Sequence, residues 1–186
     1  FGVNYAVSKG MMPKYFEPFP FIFYRVAGAL VLFWAFHAAT MRERVRRGDL
    51  ALMFVCGFFG VAANQLMFLY GLNLTTPINA SLIMTGNPVL VLIFAAWILR
   101  ERVTPFKVLG IGLGLTGAAW LILSKTEVGL ASGAFVGDVF IFLNACAYAI
   151  YLVLVKPLMK KYSPLTVIKW VFLFGFIVVV PFGLPA

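Results

Sequence analysis

The chain has 186 residues, of which 63% are hydrophobic and 11% charged, and a mean hydropathy of +1.00. An ordinary soluble domain is roughly 45–50% apolar and about 25% charged, so this chain carries too little polar surface to cover a water-soluble core, and its solvent is lipid. The net charge of +9 does not mark a nucleic-acid surface, because the Lys and Arg residues fall in short clusters between long apolar runs, where they fix orientation in a membrane.

A spanning helix needs about 20 apolar residues, and the sequence is read as seven such segments in chain order. The first, Phe1 to Met12, starts without Met inside an apolar run and is expected to be the remnant of a truncated span. Phe19 to Thr40, Leu50 to Leu72, Ile78 to Leu99, Pro105 to Ser124, Gly133 to Val155 and Val167 to Pro185 follow. The connectors are short and rich in Pro, Gly or charge, which marks turns and not linkers between soluble domains. Cys56 and Cys146 sit inside apolar runs without metal-ligand or disulfide spacing, and His37, the sole histidine, ends a span as an interfacial side chain. Neither a metal site nor a cofactor is expected.

Basic residues alternate between connectors. The second, fourth and sixth hold Arg42, Arg44, Arg46 and Arg47, then Arg100 and Arg102, then Lys156, Lys160 and Lys161; the first, third and fifth hold Lys14, none, and Lys125. The excess of positive charge places the even connectors in the cytoplasm, so the start of the chain is cytoplasmic and the first helix runs outward.

A weak internal repeat points the same way. Lys9 aligns with Lys156, Pro18 with Pro164 after a one-residue slip, and Tyr24 with Trp170. If the sixth helix is the counterpart of the first, each repeat holds five helices, and an odd number forces the halves to face opposite ways. Inverted repeats of this kind are characteristic of secondary transporters, with sites near the midplane between the repeats. The expected fold is therefore all-α, a polytopic transmembrane helix bundle with about seven spans present. Residues 1–127 form the first repeat, its first helix truncated, and residues 128–186 the first two helices of the second.

Several motifs carry a family resemblance. Phe1-Gly2-Val3-Asn4-Tyr5 runs to Lys9, Pro18 precedes Arg25 by seven residues, and Asn79-Ala80-Ser81 leads through Asn87-Pro88-Val89 to Glu101, then Gly110, Gly117 and the apolar close at Leu123. In these features the chain resembles the drug/metabolite transporter superfamily in its EamA-type branch. The resemblance implies a ten-helix inner- or plasma-membrane transporter of small metabolites such as amino acids, built from two inverted five-helix repeats working by alternating access. The chain would then be a fragment lacking about three helices, with the bilayer and a small metabolite as its partners, and not an enzyme.

Polar groups at membrane depth mark candidate sites because they are costly unless paired or facing a cavity. Arg25 lies about six residues into its span and either binds an anionic group or pairs structurally. Asn64 and Gln65 fall mid-span in the third segment. Asn144, Tyr148 and Tyr151 share one face of the sixth at i, i+4 and i+7, either as a hydrogen-bonding wall for a zwitterionic or aromatic metabolite or as interhelical contacts. Asn4, Ser81 and Thr85 complete the substrate-binding candidates. No acid is read as lying deep in a span.

Pro88 removes an amide donor in the fourth span and frees the Met84 carbonyl, which Thr85 is placed to satisfy; the expected kink is either a hinge or static. Gly110, Gly114, Gly117 and Ala118 form a small-residue stripe, read as packing within the chain in preference to a homodimer. A seven-helix receptor or a membrane scaffold is the competing class. An intramembrane hydrolase or desaturase would need a nucleophile with its base or a histidine cluster, and a single histidine argues against both.

Overall fold

The computed structural model describes residues 18–40, 43–100, 104–110, 112–113, 116 and 134–183, and the regular structure among them is helical. The elements are α1 (Pro18–Thr40), α2 (Arg47–Gly57), a π-helical segment (Phe58–Ala63), α3 (Asn64–Leu74), α4 (Pro77–Thr85), α5 (Asn87–Ile98), α6 (Ala134–Lys161) and α7 (Pro164–Gly183). Five stretches are long and apolar enough to cross a membrane: Ile22–Thr40, Arg47–Leu74, Pro77–Ile98, Phe135–Lys161 and Pro164–Phe182. They correspond to the second, third, fourth, sixth and seventh spans expected from sequence. The first expected span and most of the fifth lie outside the described residues, as does Glu101.

Local chemistry explains the helix ends. Thr76 caps α4 by accepting the Asn79 amide at 3.2 Å, and Pro77 follows at the first helical position, where its missing N–H costs nothing. The sixth connector is shorter than the sequence suggested. Helix α6 continues through Pro157 to Lys161, leaving Tyr162 and Ser163 to make the turn before Pro164.

The spans pack into a bundle with two polar ends. At one end the segment 43–49 meets the turn between α6 and α7. Tyr162 donates its hydroxyl to Asp49 at 2.7 Å, Lys161 pairs with the same carboxylate at 3.0 Å, and the Ser163 hydroxyl donates to Glu43 at 2.9 Å. At the other end the Thr75 hydroxyl donates to Asp138 at 2.5 Å. The second and sixth of the basic connectors thus share an end. Asp138 lies one turn inside α6, near its end and not deep in the span, and is held by Thr75 and, at 3.5 Å, by Asn79.

Helix α6 is the centre of the bundle, packed on α3, α4, α5 and the π segment, while α7 packs on α1, α2 and the π segment. Two glycine pairs allow the closest approaches. A Cβ on Gly71 would stand 2.9 Å from the Gly137 carbonyl oxygen, one on Gly137 would stand 2.8 Å from the Gly71 carbonyl, and one on Gly57 would stand 2.7 Å from the Val171 carbonyl with Gly175 beside it. Antiparallel packing of α1 on α7 is aromatic: Phe23 meets Phe176 at 5.4 Å between ring centroids, Phe33 meets Phe172 at 5.0 Å and Trp34 meets Trp170 at 5.8 Å. Large apolar side chains such as Trp97, 77% exposed, cover the outer surface, as lipid contact requires.

Hydrogen bonds from the Thr166 hydroxyl, then from the Ser163 hydroxyl and amide, hold the Glu43 carboxyl below its ordinary value, against an opposing effect of burial. A carboxylate depressed in this way contributes stability above the ordinary carboxylate range of about 4.3 and loses it as pH falls through its lower folded value. The wild-type unfolding temperature in detergent should drop on acidification below about pH 4; in Glu43→Gln that drop should shrink, and an unchanged profile would show that this contact carries no linkage. Gly71→Val should overpack the α3–α6 crossing at a cost on the order of 1–3 kcal/mol. Gly28→Ala, where a Cβ meets nothing within 4 Å, should leave the unfolding temperature in place.

Candidate functional site

A cavity of about 320 Å³ opens between α1, the π segment, α3, α4, α6 and α7. Its lining contains Arg25, Asn64, Gln65, Asn144, Tyr148 and Tyr151, among Phe33, Phe68, Phe172, Val61, Met84, Ile168 and Val171. Six of the polar groups that the sequence singled out, on three different spans, therefore line one cavity. The volume lies at the lower end of the range of roughly 300–1,000 Å³ found for small-molecule sites, and the lining follows their pattern of apolar walls with a few polar groups.

The π segment shapes this wall. A π turn adds a residue to the helical cycle and is commonly found at functional sites; here it ends at Ala63, and Asn64 and Gln65 begin α3 at the cavity edge. The Tyr151 ring fits against Gly60, where a Cβ would stand 2.5 Å from a ring carbon. Only glycine leaves room for the tyrosine. Tyr148 lies beside it, with ring centroids 6.0 Å apart.

Asn144 is 1% exposed. Its side-chain amide donates to the Asn64 carbonyl oxygen at 2.7 Å, which fixes the flip of the group and leaves Oδ1, the acceptor, buried with no hydrogen-bond partner. An unmet buried acceptor is costly, on the order of 1–3 kcal/mol. The cavity lining thus offers a cation at Arg25, side-chain amides, two phenols and aromatic faces, a set that suits a small molecule with both an anionic and a donor group.

The remaining sequence candidates do not line this cavity. Ser81 and Thr85 are exposed and bond their own helix, Ser81 to the Ile78 carbonyl at 2.8 Å and Thr85 to the Ser81 carbonyl at 2.9 Å. That corrects the expectation that Thr85 satisfies Met84: a threonine hydroxyl reaches back one turn to the i−4 carbonyl. The fourth span is interrupted at Gly86, where α4 stops at Thr85 and α5 starts at Asn87 with Pro88 in its first turn. Gly86 makes the join, donating to the Ile83 carbonyl at 3.0 Å. Gly110 would meet nothing with an added Cβ; the close backbone approaches seen are those at Gly57, Gly71, Gly137 and Gly175. Asn4, Gly114, Gly117 and Ala118 lie outside the described residues.

One polar cluster was missed. His37 is 7% exposed and not interfacial, because α7 covers it: its Nε2 lies 3.2 Å from the Thr166 hydroxyl and its Nδ1 3.1 Å from Lys169 Nζ. Lys169, likewise 7% exposed, lies inside its span and not at its edge, with Nζ 5.0 Å from the Trp34 ring centroid and 5.8 Å from that of Trp170. Both residues fell at the ends of apolar runs, where a solvent-facing lysine or histidine looks the same in sequence. The available signal was that each is a polar residue within an apolar run, close to the connectors that meet at the polar end.

Comparison with known proteins places the chain. It is 27% identical over 151 residues to the uncharacterized transporter YyaM of Bacillus subtilis strain 168, covering 80% of this chain and 49% of that protein. It is 30% identical over 140 residues to an uncharacterized transporter of Archaeoglobus fulgidus, covering 75% and 49%. It is 28% identical over 144 residues to a probable terminal-alkyne amino-acid exporter of Streptantibioticus cattleyicolor, covering 77% and 47%. The chain thus spans about half the length of these curated relatives. No solved structure matches it significantly. The model of the EamA-like transporter family matches residues 1–123, and with the helical bundle described above this establishes that the chain belongs to that family of membrane transporters.

Proposed function

We propose that the cavity between α1, α3, α6 and α7 is the substrate site of a secondary transporter for small zwitterionic metabolites, amino acids with apolar side chains foremost. The observation that carries this reading is that Arg25, Asn144, Tyr148 and Tyr151 line one cavity of about 320 Å³. Arg25 suits a carboxylate, which it can hold through two parallel hydrogen bonds, and Asn144 suits an ammonium donor. Tyr148, Tyr151 and the phenylalanines suit the side chain. The amino-acid exporter among the relatives supports the substrate class. The cavity works by alternating access between this repeat and its inverted counterpart, with the break at Gly86 to Pro88 as a hinge.

The transporter resides in the cell membrane, and positive-inside bias puts the end bearing 43–49 and 161–166 in the cytoplasm. In intact cells a single cysteine at Arg44→Cys should be protected from an impermeant thiol reagent added outside; labelling there would reverse the orientation.

Transport is tested with the full-length protein in proteoliposomes, using radiolabelled L-leucine as the probe. Arg25→Gln and Asn144→Leu should each raise KM roughly tenfold to a hundredfold, the worth of one charge-assisted hydrogen bond. Pro88→Ala in the same assay should lower the maximal rate with little change in KM. Unaltered kinetics in both Arg25→Gln and Asn144→Leu would remove the cavity from consideration as the substrate site.

A further inference from the structure

The cluster at His37 and Lys169 lies outside the cavity lining, and it is continuous. Lys169 Nζ stands 3.1 Å from His37 Nδ1, His37 Nε2 stands 3.2 Å from Thr166 Oγ1, and Ser163 Oγ stands 2.8 Å from Thr166 Oγ1 and 2.9 Å from the Glu43 carboxylate. An ammonium has only donors, so Nδ1 must accept; the neutral ring then carries its proton on Nε2 and donates to Thr166. These contacts form an unbroken line from a lysine inside its span to a carboxylate at the polar end. No described carboxylate forms an ion pair with Lys169, whose other neighbours are the Trp34 and Trp170 rings.

We propose that Lys169 is the proton-binding site that couples this transporter to a pH gradient, with His37, Thr166 and Ser163 relaying its proton to and from Glu43. Transfer toward Glu43 moves one proton per hop: Lys169 gives a proton to His37 Nδ1, the ring gives its Nε2 proton to Thr166, the Thr166 hydroxyl gives its own to Ser163, and the Ser163 hydroxyl gives its own to Glu43. The balance is an ammonium and a carboxylate converted to an amine and a carboxylic acid; water at the exposed end then takes the proton from Glu43, and rotation of the two hydroxyls and exchange of the ring tautomer reset the path.

The other titratable groups around this site do not break the path. On α2, Asp49 is engaged by Tyr162 and Lys161 at the end of α6, and Cys56 is buried. On α1, Arg25 lines the cavity, and on the segment before α2 the side chains of Arg44 and Arg46 are exposed. Glu43, half-buried at the polar end and hydrogen-bonded by Ser163, is where the path meets water.

The proposal rests on the transport reading for its physiological role, but the relay has a readout of its own. His37 is the sole histidine of this chain, so ring nitrogen NMR of histidine-labelled full-length protein in lipid nanodiscs reports on it, with His37→Gln assigning its signal. Between about pH 5 and about pH 10 the wild-type ring should show two steps, its own protonation and a second as Lys169 loses its proton. Lys169→Arg keeps a cation and donor but cannot deprotonate, and the second step should vanish; a wild-type single step, or two steps surviving in Lys169→Arg, overturns the relay. Gel filtration shows whether the variant is folded, and Lys169→Gln provides a second substitution of the same predicted outcome.

In proteoliposomes, one proton coupled per substrate across one pH unit sustains about a tenfold gradient of leucine. The wild type should accumulate leucine to that ratio, and Lys169→Arg should fall to a ratio of about one. Retained accumulation in Lys169→Arg overturns the coupling role. If the wild type moves no leucine at any pH gradient, the reading of the cavity as an amino-acid site fails, and the NMR steps still decide the relay.

Discussion

Everything in this bundle depends on how closely its helix backbones can approach. Lipid tails are as apolar as leucine, so burying apolar surface between helices gains little, and association relies on van der Waals packing and hydrogen bonds. The third span meets that demand twice, at Gly71 against Gly137 and at Gly57 against Gly175. These crossings bring α6 and α7 against one helix, and that juxtaposition puts Asn144 within reach of the Asn64 carbonyl. The cavity wall is a consequence of backbone contact.

The π segment sits between the two crossings. It turns the third span partway along its length, so that Gly57 faces α7 while Gly71 faces α6, and the stretch between them carries Gly60, Val61, Asn64 and Gln65 along the cavity. A regular α-helix of this length would hold one face in register throughout. Irregular backbone is tolerated at membrane depth where it is buried in protein or lines a cavity, and here it does both.

Composition and run length made five of the spans legible, because transfer into lipid depends on summed hydropathy and little else. The residues around the cavity were legible for the same reason: Arg25, Asn64, Gln65 and Asn144 are polar where polarity is expensive. The sharing of one cavity was not legible, since nothing in a helix's own sequence states which neighbour it meets. Position relative to the span end misled for His37 and Lys169, which look interfacial until α7 is laid on α1. Helix α6 ran past Pro157 because its final turns are held by packing and by the bonds of Lys161 and Tyr162 to Asp49.

The indole pair around Lys169 gives the molecule a built-in optical label. The chain has four tryptophans, and two of them, Trp34 and Trp170, stand 5.0 Å and 5.8 Å from one lysine nitrogen. A full charge at that distance shifts the energy of an indole's excited state by the field it exerts along the ring, whereas Trp97 faces outward into the bilayer. The emission spectrum therefore carries information about the charge at a single buried nitrogen, without a probe being attached.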